Sequence, residues 1–160
     1  MFEELAGLPL HPLAVHGAVV LVPLQVLASL AYALVPRLRL RVGWVAVLLA
    51  VVAPLAAVLA KLSGEALQQA LGLPLQGDLA DHRSRGTYTM WLAITLGALT
   101  LALVGIHRAG AGSPLRSWLA RGVAVLVVLA AGAAAGYVIL TGDLGSRMVW
   151  EPRWQQVTGG

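Results

Sequence analysis

Four long apolar runs, at residues 13–35, 42–60, 88–106 and 122–140, constrain the fold of this sequence more than any other feature. The hydrocarbon core of a bilayer is about 30 Å thick, so a helix that rises about 1.5 Å per residue needs about 20 apolar residues to cross it. Each run is apolar on all sides rather than along one stripe, which is typical of a helix surrounded by lipid. The sequence therefore predicts four membrane spans.

The composition supports the same conclusion and excludes several chemistries. Hydrophobic residues make up 59% of the chain and charged residues only 11%, against about 25% charged in an ordinary soluble domain. There is no cysteine, which excludes disulfides, thiolate metal sites, iron–sulphur ligation and thiol nucleophiles. We predict an all-α, four-helix transmembrane bundle with antiparallel neighbours, forming a single domain over residues 1–160.

The connections between the runs are short or helical. Residues 36–41 form a tight turn, whereas the second helix is expected to continue outward through Leu71, with Gly72 and Pro74 ending it and Asp78 as the N-cap of the third helix. Gly132 and Gly136 give the fourth helix a close-packing face, which we expect to lie inside the bundle.

The arginines predict the orientation in the membrane. The first and third connections and the adjoining helix ends hold six bases and no acid: Arg37, Arg39, Arg41, Arg108, Arg116 and Arg121. The opposite side holds five bases and seven acids. The positive-inside rule places the arginine-rich side in the cytoplasm and both termini on the outer side of the membrane. Because the arginines serve as orientation signals, we expect no nucleic-acid partner.

Ionisable groups from all four helices gather at the predicted outer end. The candidate cofactor ligands are His16, His82 and His11, and the candidate metal ligands are Glu65 and Asp143. Ionisable groups in membranes are costly unless they are paired, ligated or in contact with water. The alternative interpretation is that these groups lie at the membrane interface in contact with water and bind no ligand.

Two cofactors fit these residue types. A b-type haem would take axial nitrogens from His16 and His82; their depths differ by about 8 Å, so a tilt, a kink or the use of His11 would be needed. A divalent metal ion would instead use His16, His82, Glu65 and Asp143. Against the metal, Lys61 is placed to pair with Glu65 one helical turn away.

One stripe of the third helix is small and polar, with a histidine at each end: His82, Gly86, Thr89, Ala93, Thr100 and His107. Such a stripe allows another helix to approach closely. It is also compatible with a slot for a flat ligand such as haem. Because the sequence has no phosphate-binding glycine loop and no hydrolase or metalloprotease motif, we do not expect a stand-alone enzyme.

Several short strings occur in order at the outer helix ends: PLHP at 9–12, VH at 15–16, KLSGE at 61–65, DH at 81–82 before Gly86, TGD at 141–143 before Gly145, and VW at 149–150. Together they resemble the DUF2231 family of bacterial membrane proteins over nearly the whole chain. The resemblance implies a four-span plasma-membrane protein. It also implies an association with redox proteins, since some members are joined to Rieske-type iron–sulphur domains. Relatives often have histidine at the position of Asp143, which implies either a carboxylate ligand or a lost site here.

Two functions follow as hypotheses from different classes. The first is an accessory redox protein that binds b-type haem or a divalent metal. The second is a cofactor-free structural or assembly subunit that packs on a larger membrane complex through its small-residue faces. Both predict contact with the lipid bilayer and with other membrane or redox protein subunits.

Overall fold

The computed structural model describes residues 4–5, 7–110 and 113–159, most of which belong to four long helices. The helices are α1 (Leu10–Leu34), α2 (Arg39–Ala70), α3 (Asp78–Arg108) and α4 (Pro114–Thr158). All four are long and apolar enough to cross a membrane. The predicted all-α, four-helix architecture is therefore confirmed.

Short connections arrange the four helices as an up-down-up-down bundle. A 3₁₀ turn (Pro36–Leu38) joins α1 to α2, and a two-residue antiparallel pairing of β1 (Glu4–Leu5) with β2 (Leu8–Pro9) precedes α1. Each helix packs on the next one, and α4 packs back on α1. As a result, α1 and α3 begin at the same end of the bundle. We call it the histidine end, because it holds His11, His16 and His82. We call the opposite end the arginine end, because it holds Arg37, Arg39, Arg41, Arg108, Arg116 and Arg121.

Small side chains and a few polar ones fill the interior, whereas large apolar side chains point outward. Ala53, Ala93 and Ala131 are fully buried, but Leu27 and Leu55 are more than 60% exposed. This arrangement suits a lipid environment, because lipid-facing positions gain nothing from being polar and small buried residues let helices approach closely.

Two side-chain hydrogen bonds join α1 to α3 in the middle of the bundle. Gln25 is fully buried, and its Nε2 donates to the Ala93 carbonyl at 3.0 Å. Thr100 Oγ1 donates to Ser29 Oγ at 2.9 Å. The polar side chains inside the predicted spans therefore hold α1 and α3 together. Lipid chains offer no competing hydrogen-bond partner at this depth.

The helix ends on either side of the α2–α3 connection lie within one residue of their predicted positions, whereas α4 extends well beyond the predicted run at 122–140. Helix α2 ends at Ala70, and Gly72 follows with a φ of +62°. The prediction that Asp78 caps α3 is wrong by one position: Gly77 is the N-cap, with a φ of +57°, and Asp78 is the first helical residue. Glycine adopts this backbone conformation without steric cost, and the Asp78 carboxylate still lies favourably in the first turn.

The glycine pair of α4 lies on the outside of the bundle. The buried face of α4 runs through Val127, Ala131, Ala134 and Val138. Gly132 and Gly136 are exposed, and a Cβ at either would meet nothing within 4 Å in the described part of the chain. The prediction that these glycines pack inside the bundle is therefore wrong, because α4 presents its alanine face to the other helices.

Candidate imidazole site at the histidine end

His11 and His82 lie next to each other at the histidine end. His11 belongs to the first turn of α1, and His82 to the second turn of α3. Their ring centroids are 6.5 Å apart and the ring planes meet at 81°. Of the three histidines predicted at this end, the structure thus brings together His11 and His82.

A hydrogen bond fixes the His11 ring in one tautomer. Its Nδ1 lies 3.0 Å from the Ala60 carbonyl oxygen and 3.4 Å from Ser63 Oγ. Ser63 is fully buried and donates its own hydroxyl to the same carbonyl at 3.1 Å. Because a carbonyl oxygen only accepts, Nδ1 of His11 carries the proton and Nε2 keeps its lone pair. A backbone carbonyl that orients an imidazole in this way is a common support of metal-binding histidines.

Two glycines provide the surfaces against which the imidazole rings pack. A Cβ on Gly64 of α2 would lie 2.8 Å from Cε1 of His11, and a Cβ on Gly145 of α4 would lie 2.8 Å from Cε1 of His82. Real Cβ atoms do not approach so closely, so both positions require glycine while the rings stay in place. Both glycines belong to the short strings noted in the sequence, Gly64 to KLSGE and Gly145 to the string after TGD. Nothing in their spacing along the chain indicated that either one contacts a histidine.

His11 and His82 lie outside the four predicted apolar runs, and burial lowers the pKa of both. For His82, a charge on His11 would lower the pKa further, whereas the backbone of Thr141 opposes part of the decrease. The His82 Nδ1 atom is nevertheless buried without a well-formed hydrogen bond to the described residues. Both imidazoles are therefore neutral near pH 7, the form in which histidine ligates metals.

Glu65 is neutralised by two cations. One of its carboxylate oxygens, Oε1, lies 3.1 Å from Lys61 Nζ and 2.8 Å from Arg83 Nη2. The hydrogen bond from Lys61 lowers the Glu65 pKa most; burial opposes this, and Arg83 lowers it further. The Arg83 contact joins α2 to α3. Glu65 thus has a structural partner on its own helix and another across the bundle.

His16 and Asp143 lie apart from the imidazole pair. His16 is exposed, and its Nδ1 donates to the Pro12 carbonyl one turn earlier in α1. Asp143 is also exposed and pairs with Arg147 on the same helix, with 2.9 Å between Oδ2 and Nε. The described residues contain no group of three or more His, Cys, Asp or Glu side chains able to hold a metal ion.

Helix α4 fills part of the small polar stripe on α3. Thr89 Oγ1 lies 2.9 Å from Thr141 Oγ1, and a Cβ on Gly86 would meet Thr141 Cγ2 at 3.9 Å. Further along α3, Gln25 of α1 reaches the carbonyl of Ala93. The stripe therefore serves helix packing over this length rather than forming an open slot.

The fold and the surroundings of these side chains define a four-span membrane protein with a paired-imidazole site at one end. The chain belongs to the DUF2231 family, described as a predicted membrane protein, whose model matches residues 7–157. The resemblance seen in the sequence is thereby confirmed. Neither a search of curated proteins nor a search of solved structures found a match.

Proposed function

We propose that this protein is an accessory redox subunit of the bacterial plasma membrane that binds a transition-metal centre through the imidazoles of His11 and His82. One observation carries the proposal: two partly buried imidazoles from different helices lie side by side, with their ring centroids 6.5 Å apart. Imidazole nitrogen suits zinc, copper, iron and nickel ions. The ligand pair uses His11 rather than His16, because His11 lies beside His82 whereas His16 is exposed and bonded to its own helix.

The separation of the two rings supports binding to one metal centre. Metal–nitrogen distances of about 2.0–2.1 Å would hold the ring centroids of two imidazoles on one ion at most about 6.5 Å apart. The 6.5 Å separation of His11 and His82 is close to this value. The bond from His11 Nδ1 to Ala60 leaves Nε2 available as a ligand.

A single metal ion fits the surroundings better than haem. Haem needs a slot for the flat macrocycle, whereas Thr141 packs against Gly86 and Thr89 just below His82. Water would supply the remaining ligands of an ion, because Glu65 is held by Lys61 and Arg83. A copper or iron ion bound there would supply one-electron chemistry. His11 and His82 would hold the ion, and Gly64 and Gly145 leave room for the two rings.

The test is spectroscopy and elemental analysis of the full-length protein purified in detergent. We expect copper, iron or zinc at near one equivalent per chain, and loss of most of that metal in His11→Ala and in His82→Ala. His16→Ala is the matched control, since it removes an exposed imidazole from the same helix and should keep the metal. A Soret band that disappears in the first two variants would identify the metal centre as haem iron.

Three results would overturn the proposal. One is protein with neither metal nor a Soret band after purification and after loading with Cu²⁺, Fe²⁺ and Zn²⁺. Another is metal retained in both His11→Ala and His82→Ala. The third is equal loss in His16→Ala, which would mean that binding depends on surface histidines in general.

A second candidate function, a cofactor-free assembly subunit, is supported by the far end of α4. This helix continues well beyond the apolar run at 122–140 and exposes Trp150, Trp154 and Val157, each more than 60% accessible. Their spacing places them along one helix face, and exposed tryptophans are frequent centres of protein interfaces. Native gel analysis tests this function: a larger complex should be lost in Trp150→Ser/Trp154→Ser and kept in the exposed control Gln155→Ser.

A further inference from the structure

A cleft of about 390 Å³ opens at the arginine end of the bundle, between α1, the first residue of α2, α3 and α4. Its polar wall contains Arg39, His107, Arg116 and Arg121, and its apolar wall includes Ile106 and Ala120. The candidate metal site lies at the opposite end, so this cleft is a separate feature.

The positive charge around the cleft has no carboxylate partner in the described residues. All five acidic residues of the four helices belong to the histidine end or to the extension of α4 beyond it: Glu65, Asp78, Asp81, Asp143 and Glu151. The ion pairs found in the described chain involve only Glu65 and Asp143. An anion that neutralises the cleft must therefore come from another molecule.

Backbone carbonyls hold two of the guanidinium groups in position. Arg39 donates from Nε to the Tyr32 carbonyl at 3.1 Å and from Nη2 to the Ala33 carbonyl at 3.3 Å. These bonds anchor the guanidinium at the end of α1. They leave its Nη1 without a hydrogen bond to the described residues. A guanidinium held in this way loses little entropy when it binds an anion.

Arg116 and Arg121 complete the basic wall. Arg116 Nη1 donates to the carbonyls of Ala109 and Gly110 at 2.7 and 2.8 Å, which leaves its Nη2 free of hydrogen bonds to the described residues. The Arg121 guanidinium lies over the Trp118 ring, 5.1 Å from its centroid. It makes no side-chain hydrogen bond to the described residues. All three arginines thus retain donors for a ligand.

One further observation favours an anion. Helix α4 begins at this cleft, since Arg116 and Ser117 of its first turn line it, and a helix N-terminus carries partial positive charge.

We propose that this cleft binds the phosphate of an anionic phospholipid headgroup, through Arg39, Arg116 and Arg121. Guanidinium groups recognise phosphate oxygens with charge-assisted hydrogen bonds, and basic pockets between helix ends are a known way to hold anionic lipids. The apolar part of the wall includes Ile106 and Ala124, which lie further from the arginine end along their helices than Arg108 and Arg121. That lining suits an acyl chain and gives a lipid an advantage over free phosphate.

The experiment measures binding to the full-length protein in a neutral detergent, using native mass spectrometry and thermal shift. The probes are short-chain phosphatidylglycerol, short-chain phosphatidylcholine and inorganic phosphate. We expect selective binding of phosphatidylglycerol, weakened on the order of tenfold in Arg121→Gln. This variant is the best choice because Arg121 does not cap a helix. Arg41→Gln is the matched control, since it removes the same charge from the same end outside the cleft.

Each alternative outcome overturns the proposal. Equal binding of phosphatidylglycerol and phosphatidylcholine would show that the cleft does not distinguish an anionic headgroup from a zwitterionic one. Full competition by inorganic phosphate at the same concentration would identify a free-anion site rather than a lipid site. Equal weakening in Arg121→Gln and Arg41→Gln would mean that the general charge of this end, and not the cleft, attracts the lipid.

Discussion

The carbonyl oxygen of Ala50 in α2 contacts the backbone of α3 at Gly97, so closely that a Cβ on Gly97 would overlap with it. Pro54, four residues after Ala50, has no N–H group, so this carbonyl has no helical donor at the usual position. The Nε2 atom of Gln25 in α1 lies 3.3 Å from the position that a Cβ on Gly97 would occupy. A proline in one helix and a glycine in the next therefore allow three helices to meet in the middle of the bundle.

Gly97→Ala should destabilise the bundle, because the new methyl group must push α2 and α3 apart. Overpacking of this kind costs about 1–3 kcal/mol. Thermal unfolding of the purified protein in detergent measures the effect. Gly132→Ala is the control: it lies on the exposed face of α4 with nothing within 4 Å in the described chain. We expect it to be neutral or slightly stabilising, since alanine favours helix more than glycine. Equal unfolding temperatures for the two variants would contradict the close contact.

Gly145→Ala should displace the His82 ring, because the added Cβ would lie 2.8 Å from its Cε1 atom. The imidazole ¹H–¹⁵N and ¹H–¹³C NMR signals of histidine-labelled protein report such a displacement whether or not metal is bound. Gly142→Ala is the matched control on the same helix, where a Cβ meets nothing within 4 Å in the described chain. Unchanged His82 signals in Gly145→Ala would mean that the ring does not rest on this glycine.

The stability of the bundle should depend on the ionisation of Glu65. Its pKa is lowered, chiefly by the hydrogen bond from Lys61, so the folded state binds the proton less tightly than the unfolded chain. The resulting stabilisation is complete above the unfolded pKa of 4.5 and is lost as the pH falls through the lower folded value.

Glu65→Gln should remove this pH dependence and lower the stability at pH 7. We expect a loss of about 1 kcal/mol or less, because Arg83 is 41% exposed and water screens the pair. Unfolding temperatures between pH 7 and pH 3 provide the measurement. Asp143→Asn is the comparison: its exposed pair with Arg147 lies within one helix, and its loss should leave the stability nearly unchanged. A steeper pH dependence in Glu65→Gln would refute the assignment.

The charge asymmetry predicts that both termini lie outside the membrane. Because the chain has no cysteine, single cysteines report the topology without background. A membrane-impermeant maleimide should label Thr158→Cys in intact spheroplasts. Ser113→Cys, in the connection between α3 and α4, should react only after permeabilisation. The opposite labelling pattern would invert the topology and place the histidine end in the cytoplasm.

The sequence was most predictive for those features that depend on one segment of the chain alone. The length of an apolar run is a local property, and the bilayer thickness converts it directly into a membrane span. The separation of arginines from acids along the chain is likewise local, and the prediction of orientation depends on it. The Lys61–Glu65 pair was also readable, because residues four apart share one face of a helix.

The tertiary structure decided how each helix is rotated about its own axis. A helix in water shows its buried face as an apolar stripe, but helices that are apolar all round carry no such signal. For that reason the sequence placed Gly132 inside the bundle, whereas packing turns it outward. The same rotation sets His11 rather than His16 beside His82 and brings Gly64 and Gly145 under the two rings, since side chains from four different helices meet only when all four are packed together.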